Sequence, residues 1–555
     1  MSARSASSST KIIRAEGSSF CANCSQPCGL KGTVVLVTWL AGMLAVASVA
    51  LGQGETAAKK GSEDVGAREK RVEEGLEPVD VGKDEPPLKL DLAAMMNAFN
   101  DPGMSVAVID GYRIAWAKGY GVAELGGKVP VTTRTLFQAG SISKPVAAAA
   151  MLALVEQGKL SLDEDVNMKL KSWKVPENEF TKEQKVTLRR LASHTAGLTV
   201  HGFPGYDVDE KMPTLVQIFN GEKPANTAAI RVDVVPGTLE RYSGGGVTIE
   251  QQLMMDVTGK EFPALTKEMV LDKIGMSDSS YAQPLPAAWA SRTAEGAYAS
   301  GKPVHGRWHI YPEMAAAGLW TTPSDLAKFA IEIALSRQGK SNKVLSREMT
   351  QEMLTPTRTA DGKEVSFGIG FGVETKRPGE FGHNGADEGF QALLVMNADT
   401  GQGAAIMANS DNGILVAVEV LRSVAQEYGW KYMPEERSTA RQLLLVAKLK
   451  GTDAMLRKYD ELKNSSDPKK RPEEFVLNML GYQSLQSGKT DEAIKLFARN
   501  VEEFPQSGNV YDSLGEAYAK AGKKERAIEN YEKSLKLDPK NQNAVVWLKK
   551  LRDEK

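Results

Sequence analysis

Cysteine is nearly absent from this chain: Cys21, Cys24 and Cys28 are the only 3 in 555 residues, all near the start. They form a CxxCxxxC run with no fourth ligand beside it, so a zinc site does not follow. If that leader is removed, what remains has no disulfide and no thiol chemistry. Charge imbalance is also missing: 69 basic residues against 70 acidic ones leave a net charge of −1. With no basic tract interleaved with aromatics, nucleic acid is not an expected partner. Histidine is scarce, with 5 in the chain, and His305 and His309 lack the acidic residue of a zinc-protease motif. Gly244-Gly245-Gly246 is not followed by the Gly-Lys-Ser/Thr of a phosphate loop. Neither a metal nor a cofactor is expected.

What is present is an ordinary globular composition, 42% apolar and 25% charged, in a chain long enough for several domains. Residues 1–53 contain an apolar run from Thr33 to Leu51 behind Arg14 and Lys31. That reads as an export signal or an uncleaved membrane anchor, placing the protein in the periplasm or facing outward. The Ser-rich, acid-poor head leaves organelle targeting as the alternative. Residues 54–87, charged and spotted with Gly and Pro, read as a disordered tether.

From Leu88 the texture is globular. Alternating residues from Met104 to Glu124 around Asp110-Gly111 predict a β-hairpin, and a second hairpin turns at Asp399 to Gly403. An apolar helix runs from Ser141 to Gly158, and a helix cap is expected at Thr322 to Asp325. Strands at both ends with helices between them make residues 88–432 an α+β domain. Beyond it, Gly481/Gly515, Gly488/Gly522, Ala493/Ala527 and Pro505/Pro539 repeat with a period of 34, the tetratricopeptide pattern. Residues 473–555 are thus an all-α repeat domain, and 433–472 a helical connector or degenerate repeat. Its concave face suits a protein partner, with a rigid spacer or an oligomerisation element as the other reading.

Ser141 and Lys144 open the apolar helix with a spacing that puts both on one face. A serine there, with an amine able to take its proton, is an activated nucleophile; the helix N-terminus favours an oxyanion. The same residues also suit an N-cap serine followed by a solvated lysine. Ser-x-x-Lys recurs at Ser8/Lys11 and Ser466/Lys469, in polar segments. Two later segments bear on the choice: Tyr242-Ser243-Gly244 at a Gly-rich turn, and His383-Asn384-Gly385 before the last hairpin.

In that order the three motifs resemble the serine β-lactamase and penicillin-binding-protein superfamily. The branch is that of class C β-lactamases, D-alanyl-D-alanine carboxypeptidases and related esterases. "LASHTAGL" (191–198) and "AAAGLWTTPSDLAKFA" (315–330) look like connecting segments of the same branch. The resemblance implies a β-lactamase/transpeptidase-like fold, an antiparallel sheet flanked by helices plus an all-helical domain, and a hydrolase acting through an acyl-enzyme on a D-amino-acid peptide, a β-lactam or a small ester. It implies Ser141 as nucleophile, Lys144 as its base, Tyr242 as proton shuttle, and His383 as a contact to substrate that tunes the tyrosine. The backbone N–H groups of Ser141 and Ala386 would form the oxyanion hole, with Asn384 and Gly385 lining the substrate site. His194, in the "SHTAGL" segment, would be structural. Gly244 stands where the family usually has Asn, which shifts weight from amide recognition toward small ester or peptide substrates. His383 is unusual for a β-lactamase and familiar in the peptidases and esterases. Glu474 to Asn478 mimics a class A motif, but it lies after the third motif, in the repeats. The competing function is a scaffold whose hydrolase domain has lost turnover and whose repeats bind proteins.

Overall fold

The computed structural model describes residues 65–553 apart from 375, 378 and 432–436. The cysteines, the apolar run and the first part of the charged stretch lie outside the described residues.

Strands β1 (Gly103–Asp110) and β2 (Arg113–Gly121) form the first hairpin. Its two turn residues, Gly111 and Tyr112, have φ of 59° and 60°, the twist that suits a two-residue hairpin loop. Strands β3 (Gly372–Val373), β4 (Glu380–Asp387), β5 (Phe390–Asn397) and β6 (Gln402–Ala408) follow near the end of the domain. The sheet order is β2-β1-β6-β5-β4-β3, antiparallel throughout, so the last strand pairs with the first. Along β1, Met104, Val106 and Val108 join one core while Ala107 and Ile109 join the other. Both faces are buried because helices cover both.

On one face lies a helix, Pro323–Arg337, started by the Thr322 side chain, which accepts from Asp325 N. On the other lies a helix, Gly413–Glu427, through Val416, Val420 and Val424. Helix Ser143–Glu156 is the centre of the all-helical part, buried from Ser143 to Leu154, as an Ala-rich helix without a polar face must be. Its C-cap is Gln157, and Gly158 follows with φ of 69°.

The stretch expected to be a tether departs from that reading at Val65. Residues Val65–Glu74 form a helix, Val79 bridges to Leu88, and Val72, Leu76, Val79 and Val81 are buried. The cause is the outer face of helix Gly413–Glu427, which needs cover. The sparse apolar residues of 65–90 supply it, and polar contacts hold them in place. Arg71 binds Glu427 at 2.7 Å and Lys458 binds Asp80 at 2.7 Å.

The connector forms a helical hairpin, Thr439–Lys450 and Thr452–Lys463, whose Leu443, Leu444 and Tyr459 share the core behind the sheet. Helices Glu474–Gln486, Thr490–Glu503, Gly508–Lys520, Lys524–Leu537 and Gln542–Asp553 complete the chain. A Cβ on Gly481 would meet the Phe497 ring at 2.5 Å, and one on Gly515 the Tyr531 ring at 3.2 Å. The repeated glycine is the place where paired helices touch. Among the described residues no helix is long and apolar enough to cross a membrane.

Candidate active site

Ser141 lies in a 3-10 turn, Gly140–Ile142, and the α-helix proper starts at Ser143. The helix therefore begins two residues later than its apolar pattern suggests. Residues three apart eclipse in such a turn, which brings Lys144 onto Ser141. Lys144 Nζ donates to Ser141 Oγ at 2.8 Å and to the Ala316 carbonyl at 2.8 Å. The N-cap of the helix is Ile142, with no side-chain capping bond, so Ser141 is not serving as a cap. Lys144 is 3% exposed, which excludes the solvated lysine of the alternative reading.

Tyr242 comes from the turn before helix Gly244–Thr258, whose N-cap is Ser243. Its ring centroid is 5.0 Å from Lys144 Nζ. His194 lies behind it, ring to ring at 4.1 Å, buried, with Nδ1 accepting from Ser243 N at 3.2 Å. Burial first, then the charge of Lys144, holds the His194 imidazole well below its ordinary range.

His383 projects from β4, its ring 6.2 Å from that of Tyr242. Its Nδ1 lies 2.6 Å from the Asn384 carbonyl, which fixes the proton on Nδ1 and leaves Nε2 an acceptor. That Nε2 is covered from solvent and has no hydrogen-bond partner among the described residues. Burial, and next the charge of Lys144, draw this imidazole down to about 3. The ring is neutral across the physiological range.

The end of β4 lies against the Ser141 turn. A Cβ on Gly385 would stand 3.2 Å from Ser141 N, and one on Gly140 would stand 2.4 Å from Ala386 N. Gly140 itself has φ of 51°. Ser141, Lys144, Tyr242 and His383, together with Gly385 and Ala386, thus converge on one place. His305 and His309 do not join them; they pair with Asp209 at 3.4 Å and Asp207 at 3.1 Å.

Three residues of this neighbourhood escape a motif-based reading. Glu250, buried on the helix that follows Tyr242, has its carboxyl pushed well above the ordinary range by burial, against the opposing pull of Lys144. His201 lies on the Tyr242 ring at 4.8 Å. Phe367 packs on His194 at 4.7 Å and on His383 at 5.9 Å. His201 and Phe367 come from irregular segments, where no periodicity announces a role. Glu250 lies on an apolar helix face, where a carboxylate is the anomaly that could have flagged it.

Comparison with known proteins gives the chain's relatives. A β-lactamase of Pseudomonas fluorescens is 29% identical over 230 residues, 41% of this chain and 58% of that protein. A D-aminopeptidase of Gluconobacter oxydans is 25% identical over 369 residues, 63% of each chain. This chain thus spans less than two thirds of the length of either relative. The octameric penicillin-binding protein homologue from Pyrococcus abyssi shares the fold with a TM-score of 0.50 at 22% identity, over 62% of this chain and 78% of its own. The tetratricopeptide repeat model matches residues 508–541. The beta-lactamase family model matches residues 92–428, more than half the sequence, and the chain belongs to that family.

Proposed function

We propose that the domain is a serine hydrolase that works through an acyl-enzyme on Ser141, acting on a D-amino-acid peptide, a β-lactam or a small ester. The observation that carries this reading is the 2.8 Å contact between Ser141 Oγ and the Nζ of a buried lysine. With Lys144 as the neutral amine, Ser141 Oγ attacks the substrate carbonyl carbon while its proton passes to Lys144 Nζ. The carbonyl oxygen becomes an oxyanion, received by the N–H groups of Ser141 and Ala386. Tyr242 hands the proton to the leaving group as the carbonyl–leaving-group bond breaks. Water then attacks the Ser141 ester, releasing the acid and restoring the hydroxyl. His383, with Nε2 as an unpaired acceptor, meets the Tyr242 hydroxyl or the substrate. The imidazole there is neutral and adds no second cation beside Lys144.

The names of the relatives, β-lactamase and D-aminopeptidase, support this substrate class. Gly244, lacking a side chain for amide recognition, tilts the reading toward esters and small peptides. Export or outward anchoring through the Thr33–Leu51 run, and a protein partner for the repeats, belong to the same reading. Steady-state assays with nitrocefin, p-nitrophenyl esters and a D-Ala-D-Ala peptide test it. Turnover of at least one, lost in Ser141→Ala, is the expected result; no turnover of any by folded protein would contradict it.

A further inference from the structure

Helix Gly244–Thr258 begins with Gly244, Gly245 and Gly246, whose N–H groups have no partner within the helix. A neighbouring turn supplies most of what they need. Gly244 N donates to His201 O at 2.9 Å and Gly245 N to Val200 O at 3.1 Å. Gly246 N donates to Ser243 Oγ at 3.0 Å, and that hydroxyl donates to Thr199 O at 2.8 Å.

The turn lies close because residue 244 has no side chain. A Cβ there would stand 3.1 Å from His201 O and 3.3 Å from the Phe203 ring. Val200 takes φ of 62°, a left-handed conformation that a β-branched residue adopts only when its surroundings impose it. The consequence of this arrangement is the placement of the next residue, His201. Its imidazole leans on the Tyr242 ring, centroids 4.8 Å apart and planes tilted by 43°, and is exposed, whereas His194 backs the same ring from the buried side. Half-buried Phe367 continues the surface, 5.9 Å from Tyr242. Where an amide side chain is missing, the chain has gathered flat rings.

We propose that His201 is a specificity-determining residue: with Tyr242 and Phe367 it forms a wall that selects substrates carrying a planar apolar acyl group beside the scissile carbonyl. The inference rests on the acyl-enzyme reading above. His201 makes and breaks no bond in it. A flat acyl group stacks against the wall, and an acetyl group is too small to do so. Aromatic stacking of this kind changes affinity by about two- to twelvefold.

The test compares p-nitrophenyl phenylacetate with p-nitrophenyl acetate, which share a leaving group and differ in the acyl portion. Wild type is expected to favour the phenylacetyl ester. His201→Ala lowers the phenylacetyl-to-acetyl ratio of kcat/KM about two- to twelvefold, chiefly through KM, and His201→Phe retains it. An unchanged ratio in His201→Ala, or an equal fall for both esters, overturns the wall. The same ratio is read calorimetrically on the product acids, phenylacetate and acetate, so slow turnover does not hide the answer. Ser141→Ala separates the two claims: turnover that survives it defeats the acyl-enzyme reading, whereas the product-binding ratio still judges His201.

Discussion

Gly385 faces the backbone of Ala139 so closely that a Cβ on it would stand 1.8 Å from the Ala139 carbonyl oxygen. No side chain fits between the last part of β4 and the turn that carries Ser141. This contact sets the position of Ser141 N relative to Ala386 N, and with it the place where an oxyanion would be received. Gly385→Ala must push the strand from the turn. We expect a stability loss of about 1–3 kcal/mol, measured by urea unfolding. The same variant should lose about a hundredfold or more in acylation rate, as removal of one oxyanion donor does elsewhere.

Lys144→Met keeps the volume of the buried side chain and removes the amine that touches Ser141 Oγ and the Ala316 carbonyl. The expected outcome is a folded protein by circular dichroism whose phosphonylation by a fluorophosphonate falls about 100- to 10,000-fold. Undiminished labelling would remove Lys144 from the mechanism.

Acid should weaken the fold through the site itself. Burial, then Lys144, draws the His383 imidazole from its ordinary 6.5 down to about 3, and His194 is shifted the same way. Between those two values the unfolded chain binds a proton at residue 383 that the folded chain refuses. Stability is therefore complete above pH of about 6.5 and declines as pH falls toward about 3. Urea unfolding at successive pH values should show this slope, reduced in His383→Asn. A protonated His383 resonance by NMR in folded protein at pH of about 5 would contradict the assignment.

Glu419 is fully buried on helix Gly413–Glu427 and accepts from Arg437 and Arg441, each at 2.7 Å. Burial raises its carboxyl pKa, but Arg441 and Arg437 outweigh burial and hold it below the ordinary range. Glu419→Ala leaves both guanidiniums without this partner and should cost about 3–5 kcal/mol, measured by denaturant unfolding. Truncation before Arg437 should be as damaging, because it also removes Leu443, Leu444 and Tyr459 from the core behind the sheet. The hydrolase domain and the connector are expected to unfold in one transition.

The sequence made the site legible where the chemistry sits on regular elements. Ser141 and Lys144 stand at a helix start, Tyr242 before a glycine-rich helix, and His383 on a strand; local order and spacing mark all four. The repeats were readable because Gly481 and Gly515 answer a contact that recurs with each helix pair. The stretch from Val65 was not, since its few apolar residues are diluted by charge. Only the partner surface on helix Gly413–Glu427 shows why Val72 and Leu76 are needed. His201 was hidden for a related reason: its placement depends on the conformation of Val200 and on the three glycines of a distant helix.

The most direct test of the central claim is the mass of the protein after incubation with a fluorescent penicillin and, separately, a fluorophosphonate. An adduct on the peptide carrying Ser141, absent from Ser141→Ala, is the predicted result. Folded protein that gains no mass from either probe, or gains it at another residue, would contradict an acyl-enzyme on Ser141.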